Sequence, residues 1–168
     1  MPVIAEGLRL ELLNPSHEAD LERFERTNRA FFARRIGDRG DEYFEHFAER
    51  LAALVAENRT GTSLITVLVD DAGAIVGRVN LTDIDDPELT ELGYRVAEEA
   101  QGRGVATRGV GAMLELAAEH GVRTIAARVA TTNHASQRVL ERCGFARTGP
   151  ADPPAGSRVG FIGYRRDL

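Results

Sequence analysis

The sequence contains no lysine; all 21 of its Lys+Arg residues are arginine. A phosphate loop of the Gly-Lys-Ser/Thr kind is therefore excluded, because its contact to the phosphates is that lysine. Cysteine is nearly absent too. Cys143 alone cannot close an internal disulfide, which fits a reducing compartment. No apolar run approaches the ~20 residues that span a bilayer, and Met1-Pro2-Val3-Ile4-Ala5-Glu6 has neither the basic nor the apolar region of a secretion signal. A cytoplasmic protein without a membrane partner is expected. Positive charge is in deficit, at a net −5, so a nucleic-acid partner is disfavoured. The acidic balance would suit a cationic substrate, but it is read first as a feature that keeps the protein soluble. His17, His46 and His120 are scattered and only His134 lies near a motif, so no metal is expected.

What is present is enough for one domain, 1–168, with 43% apolar residues to build its core. The most informative stretch is Gln101-Gly102-Arg103-Gly104-Val105-Ala106. An extended run, Leu89 to Ala97, precedes it, and Ala106, Val110, Met113, Leu114 and Ala117 follow at helical spacing. Glycines at such a strand-to-helix junction let main-chain N–H groups turn inward, and the new helix adds its unpaired amides and dipole. The stretch reads as a cradle for a phosphate or pyrophosphate, with Arg103 and Arg108 adding charge. A dinucleotide fingerprint fits poorly. Thr107 stands where a third glycine or alanine belongs, and Val122, Arg123 and Thr124 stand where a ribose-binding acid belongs. The pattern Gln/Arg-x-x-Gly-x-Gly/Ala is satisfied by Gln101, Gly104 and Ala106.

Taken in order, Leu8 to Leu13 alternates as a first strand, and Asn14-Pro15-Ser16 ends it with helix-start chemistry. One amphipathic helix is predicted over about 18–31, carrying Leu21, Phe24, Asn28 and Phe31, and a second over about 41–57, carrying Phe44, Phe47, Leu51, Leu54 and Val55. Leu64 to Val69 is a β-branched run that reads as a central strand, joined by the turn Asp70 to Gly73 to an antiparallel partner over 74–81. An acidic loop, 83–88, leads into a strand over 90–96 and then the glycine loop. Gly121 stops the following helix. The strand 124–131, reached by a crossover, is placed parallel to the strand before the loop. A short helix runs from Asn133 through Cys143 and closes at Gly144-Phe145; a strand from Phe145, a proline-rich loop at 152–156 and a strand over 159–166 complete the chain.

Glu91-Leu92-Gly93-Tyr94, the glycine loop, Asn133-x-x-Ser136 and Cys143-Gly144-Phe145, in this order and spacing, resemble the GNAT superfamily of N-acetyltransferases, in the branch that includes the RimJ/RimL ribosomal-protein N-terminal acetyltransferases. The resemblance spans essentially the whole chain. It implies an α/β (α+β) fold: a mixed, mostly antiparallel sheet with a central, splayed parallel strand pair, flanked by about four helices. It further implies acetyl-CoA as co-substrate, with Val96 and neighbouring backbone holding the pantetheine arm and Gln101, Gly102, Arg103, Gly104, Val105 and Ala106 wrapping the pyrophosphate.

Each remaining candidate has two readings. Asn133 is a helix cap or a contact to the CoA arm, and Ser136 is an ordinary first-turn residue or the donor that protonates the departing thiolate. Glu91 is a solvated strand residue, or a base or substrate contact beside the splay. Cys143 lies on an apolar stripe with Ala135, Val139 and Leu140, which favours a packing role over that of a nucleophile. The activity implied is acetyl transfer to a primary amine, foremost the α-amino group of a protein N-terminus. Small-molecule amines and a CoA-binding regulatory module without turnover are the alternatives. The assembly implied is a monomer or homodimer.

Overall fold

The computed structural model describes residues 3–4 and 7–168. Its strands are β1 (Val3–Ile4), β2 (Leu8–Leu12), β3 (Leu64–Val69), β4 (Ile75–Thr82), β5 (Glu91–Val96), β6 (Thr124–Ala130), β7 (Ala146–Ala151) and β8 (Phe161–Asp167). Its helices are α1 (Glu18–Thr27), α2 (Arg29–Arg35), α3 (Asp41–Glu45), α4 (Phe47–Thr60), α5 (Val105–Glu119) and α6 (His134–Arg142). The strands form one sheet in the order β1-β2-β3-β4-β5-β6-β8-β7. Every pairing is antiparallel except β5 with β6.

The apolar run of β3 has a simple cause: all six residues are buried, and alternate ones serve opposite faces. Ile65, Val67 and Val69 pack with Leu21, Phe24, Phe32, Phe44 and Leu51 from the first four helices. Leu64 and Leu68 join Val79, Leu81, Val110, Met113 and Leu140 on the face covered by α5 and α6. The α5 backbone lies close to the sheet at Gly109, where an added Cβ would come within 2.8 Å of Leu68 Cδ1. A glycine inside a helix costs about 1 kcal/mol of propensity. Close approach to β3 and β4 is what that residue provides.

Both N-terminal helices differ from expectation, giving six helices where about four were predicted. The first is interrupted at Asn28 (φ −99°, ψ 6°), which is buried. Its Nδ2 donates to the Phe24 carbonyl (2.9 Å), and its Oδ1 accepts from the Glu98 amide (2.9 Å). A side chain that satisfies backbone groups in this way competes with helix continuation. It also ties α1 to the turn before the glycine loop. The second interruption is at His46 (φ −109°, ψ 26°); Tyr43, Phe44 and Phe47 keep facing one core across it, so the apolar spacing conceals the break.

A buried ionic knot joins α1 to the sheet. Glu25 is 1% exposed and accepts from Arg78 Nη1 (2.8 Å), Arg95 Nη1 (3.1 Å) and Arg39 Nη2 (3.2 Å). Arg78 Nη1 also donates to the Tyr43 hydroxyl (3.2 Å), while Arg78 Nε is buried without a partner among the described residues. Burial alone would raise the Glu25 pKa, but the charges of Arg39, Arg95 and Arg78 outweigh it and hold the carboxyl below its ordinary value. A depressed carboxyl contributes stability that is present above its unfolded pKa of about 4.3 and is lost as pH falls through the folded value.

Removing this charge would leave three guanidiniums gathered without their anion. Glu25→Gln should destabilise the protein by about 3–5 kcal/mol in urea denaturation at pH 7, with a smaller difference from wild type below about pH 4. An unchanged denaturation midpoint at pH 7 would show that the knot contributes nothing net.

Candidate active site

β5 and β6 pair only at Glu91↔Ala126 and Leu92↔Ala127. Each then follows its own antiparallel neighbour, β5 with β4 as far as Val96↔Gly77 and β6 with β8 as far as Ala130↔Phe161. Past residues 92 and 127 the two strands part. Gln137, nearly buried on α6, donates to the Ala130 and Thr131 carbonyls (3.2 and 3.1 Å) and so ties down the far end of β6. The gap opens a cavity of about 400 Å³ lined by residues 93–96 and 128–130, the 31–37 stretch and α6. A second cavity of about 220 Å³ adjoins it beneath the glycine loop, sharing Val96, Gln101, Ala106, Ala135 and Val139. Parted strands leave main-chain groups without ladder partners, and an extended ligand bearing amides can satisfy them.

At the smaller cavity, Gly104 (φ +71°) is the N-cap of α5, and no side chain caps the helix. The first-turn amides of a 15-residue helix are thus available to an anion. Arg103 donates to the Glu99 carbonyl, while Arg108 donates to the carbonyls of Arg103 (2.9 Å) and Gly104 (3.3 Å). These guanidiniums offset the negative ends of the loop's own carbonyl dipoles. Two further cations, Arg138 and Arg142, line the cavity from α6. They were not anticipated, although their spacing with Ala135 and Val139 puts all four on one helical face. This donor set fits a pyrophosphate.

Most of the expected site residues converge here. Val96, Gln101, Ala106, Asn133 and Ser136 line the larger cavity, and Gly102, Gly104 and Val105 the smaller. Gln101 Nε2 donates to the Val96 carbonyl (3.0 Å), bracing the loop against the end of β5. Val105 buries its side chain in the core, so only its backbone can serve a ligand. Asn133 caps α6 through its carboxamide oxygen, which accepts from the Ser136 amide (3.2 Å). Its NH₂ group and the second lone pair of that oxygen remain for another partner.

Arg103 and Glu91 line neither cavity. Glu91 sits where the strands are still paired, and both its oxygens accept from Arg128 (2.9 Å from Nε, 3.0 Å from Nη2). Arg128 also donates to the Asp152 carbonyl (3.0 Å).

Tyr94 is a further residue that sequence reasoning missed, though it closes the Glu91-Leu92-Gly93-Tyr94 motif. Its hydroxyl and Ser136 Oγ form a short contact in which either can donate, and the phenol also donates to the Ser136 carbonyl (3.2 Å). Burial chiefly, with Cys143 and Tyr164 acting in the same direction against the Ser136 hydrogen bond, pushes the Tyr94 pKa up to about 12. The phenol therefore keeps its proton throughout the neutral range. Cys143 is half-buried with Sγ 3.5 Å from the Thr107 carbonyl, and burial raises its thiol pKa. That is the packing role expected of it, since the reactive form of a cysteine is the thiolate.

The acetyltransferase (GNAT) domain family matches residues 9–146. The chain belongs to the GNAT acetyltransferase family. Its co-substrate is acetyl-CoA. Solved structures extend the likeness across the fold of this GNAT acetyltransferase. The ribosomal-protein-S5-alanine acetyltransferase from Vibrio fischeri has a TM-score of 0.90 at 23% identity, over 99% of this chain and 96% of that one. RimL, the ribosomal L7/L12 α-N-protein acetyltransferase in complex with coenzyme A, has a TM-score of 0.86 at 19% identity, over 99% and 97%. Mycobacterium smegmatis RimJ in complex with CoA-disulfide has 0.83 at 21%, over 95% and 81%. No curated protein matches the sequence of this acetyltransferase.

Acetyl-CoA should raise the melting temperature of this acetyltransferase, and Gly104→Val should abolish most of that shift. A Cβ at 104 would meet nothing nearer than Arg108 Nε at 3.9 Å, so the effect comes from the left-handed φ, which valine avoids. Equal acetyl-CoA-dependent shifts in wild type and variant, measured by scanning fluorimetry, would contradict the loop assignment.

Proposed function

We propose that this GNAT acetyltransferase acetylates the α-amino group of a peptide or protein N-terminus. One observation carries the reading: among the described residues, the cleft lining contains no aspartate, glutamate, histidine or lysine. An acceptor entering it must arrive already neutral. With an unperturbed pKa of about 7.7–8.0, an α-amine is neutral in roughly one molecule in ten at pH 7, whereas a lysine amine, near 10.4, is neutral in roughly one in a few thousand. Arginines in the lining disfavour polyamines for the same reason. Support also comes from the similar structure described as the ribosomal L7/L12 α-N-protein acetyltransferase.

In this reading bound acetyl-CoA supplies the thioester, and the amine nitrogen forms the new C–N bond as the C–S bond breaks. Ser136 gives its hydroxyl proton to the departing sulfur, and Tyr94, protonated at neutral pH, returns one to Ser136 across their shared contact; the proton that the amine nitrogen sheds on becoming an amide passes to solvent, from which Tyr94 is reprotonated. Glu91 orients Arg128, because accepting an amine proton directly would break a bidentate pair. Backbone N–H groups along the parted strands position and polarise the thioester carbonyl, without a covalent enzyme intermediate.

The test is turnover at pH 7 on peptides with a free N-terminus against N-blocked peptides containing lysine, in wild type and Ser136→Ala. Free N-termini should be acetylated faster by at least about tenfold, and Ser136→Ala should lower kcat roughly 10- to 1,000-fold with acetyl-CoA affinity nearly unchanged. Faster lysine acetylation would reject the α-amino reading. Normal turnover by Ser136→Ala would leave its hydroxyl a helix-start feature only.

A further inference from the structure

The chain is acidic overall, yet its cleft is not. Arg34, Arg35, Arg95 and Arg128 line the larger cavity, with no acidic residue among the lining positions. The acidic net charge, read mainly as a solubility feature, does not extend into the cleft.

These cations are only partly compensated. Arg95 shares Glu25 with Arg39 and Arg78, so three guanidiniums surround one carboxylate. Burial, followed by the positive charge of Arg39, lowers the Arg95 pKa to about 10 despite the opposing influence of Glu25. The group is short of negative charge, yet remains cationic at neutral pH. It is also held rigidly, stacked on the Phe32 ring with its Cζ 4.6 Å from the centroid. Arg35 stacks 5.1 Å over Phe31 and makes no ion pair among the described residues. Arg34 meets Glu98 only at 3.4 Å, with both side chains more than half exposed, a pairing worth little. Arg128 is fully paired with Glu91.

The placement of this wall relative to the chemistry follows from strand geometry. Tyr94 and Arg95 are consecutive on β5 and so point to opposite faces of the sheet, Tyr94 to Ser136 on α6 and Arg95 to Phe32 on α2. One strand residue advances about 3.3 Å. Both residues line the one cavity, from its two faces, so an acceptor chain whose amine stands at the Ser136 side can bring an anion to Arg95 within its first few residues. Ile36 (48% exposed) and Val159 (43%) form apolar lips at the cavity mouth, which suits a chain continuing outward.

We propose that Arg95, with Arg34 and Arg35, forms an anion subsite for a carboxylate carried one or two residues from the acceptor amine. Under the reading of the previous subsection, the substrate class is a peptide N-terminus with Asp or Glu at its second or third position. The guanidiniums pair with the carboxylate as they would with any planar anion. The subsite orders the first residues of the acceptor, and the amine then meets the parted strands beside Ser136.

The inference rests on that α-amino reading, and the experiment separates the two. Peptides beginning Ala-Asp, Ala-Asn and Ala-Lys with a common tail are compared by kcat/KM at low salt, together with free aspartate and asparagine. The Asp peptide should exceed its Asn counterpart by about tenfold or more, a ratio that shrinks with added salt. Arg95→Gln should bring the ratio near one. Because Arg95 also belongs to the buried knot, the Arg34→Gln/Arg35→Gln double variant gives a second reading and should reduce the same ratio. Calorimetric binding of the peptides to the CoA-loaded protein reads the preference without turnover. Equal or better use of the Asn or Lys peptide overturns the anion subsite and leaves the α-amino reading standing. Acetylation of aspartate over asparagine with no peptide turned over overturns the N-terminal reading and, because that carboxylate sits on the amine's own residue, the stated spacing of the subsite as well.

Discussion

Two residue pairs hold the halves of this sheet together, and the site depends on there being no more. β1 to β5 form one antiparallel half and β6, β8 and β7 the other, joined at Glu91↔Ala126 and Leu92↔Ala127. A fully zipped parallel pair would bury the main-chain groups of residues 93–96 and 128–130 against each other. The separation instead requires that each strand be fixed independently: β5 by β4 and by Gln101 at the Val96 carbonyl, β6 by β8 and by Gln137 at its last carbonyls. Main-chain polarity otherwise satisfied within the fold is thereby made available to an extended co-substrate.

The Glu25 knot connects that opening to the core on the other face of the sheet. Arg95 reaches Glu25 from β5, Arg78 from β4 and Arg39 from the turn before α3. The break at Asn28 serves the same end, since its carboxamide binds the Glu98 amide just ahead of the glycine loop. Acceptor wall, phosphate loop and first helix are thus positioned by polar contacts from one short segment of chain, residues 25–28. Apolar packing alone does not specify register so narrowly.

Local features of the site were legible in the sequence, and long-range ones were not. The glycine loop is a local conformation, so Gly102, Gly104 and the uncapped start of α5 could be read from adjacent residues. The strands near it announced themselves by alternation, and the stops at Gly121 and Gly144 take positive φ as their positions imply. Glu25 looked like one more acid on a solvated helix face because its partners lie 14, 53 and 70 residues away. Tyr94 and Ser136 are 42 apart. The helix interruptions at Asn28 and His46 were hidden for another reason: apolar spacing continues through both, and a periodicity argument senses only the spacing. Net charge could not describe the cleft, because it averages over the whole surface, whereas a ligand meets only the cleft.

The central claim is that the parted strands themselves are the seat of the co-substrate. Amide hydrogen exchange, followed by mass spectrometry with and without CoA, addresses it directly. Slower exchange on binding is expected in residues 93–96 and 128–130 as well as in the glycine loop, because a ligand lying between the strands shields and pairs those main-chain groups. Protection confined to the loop, with both strands exchanging as in the free protein, would contradict the account.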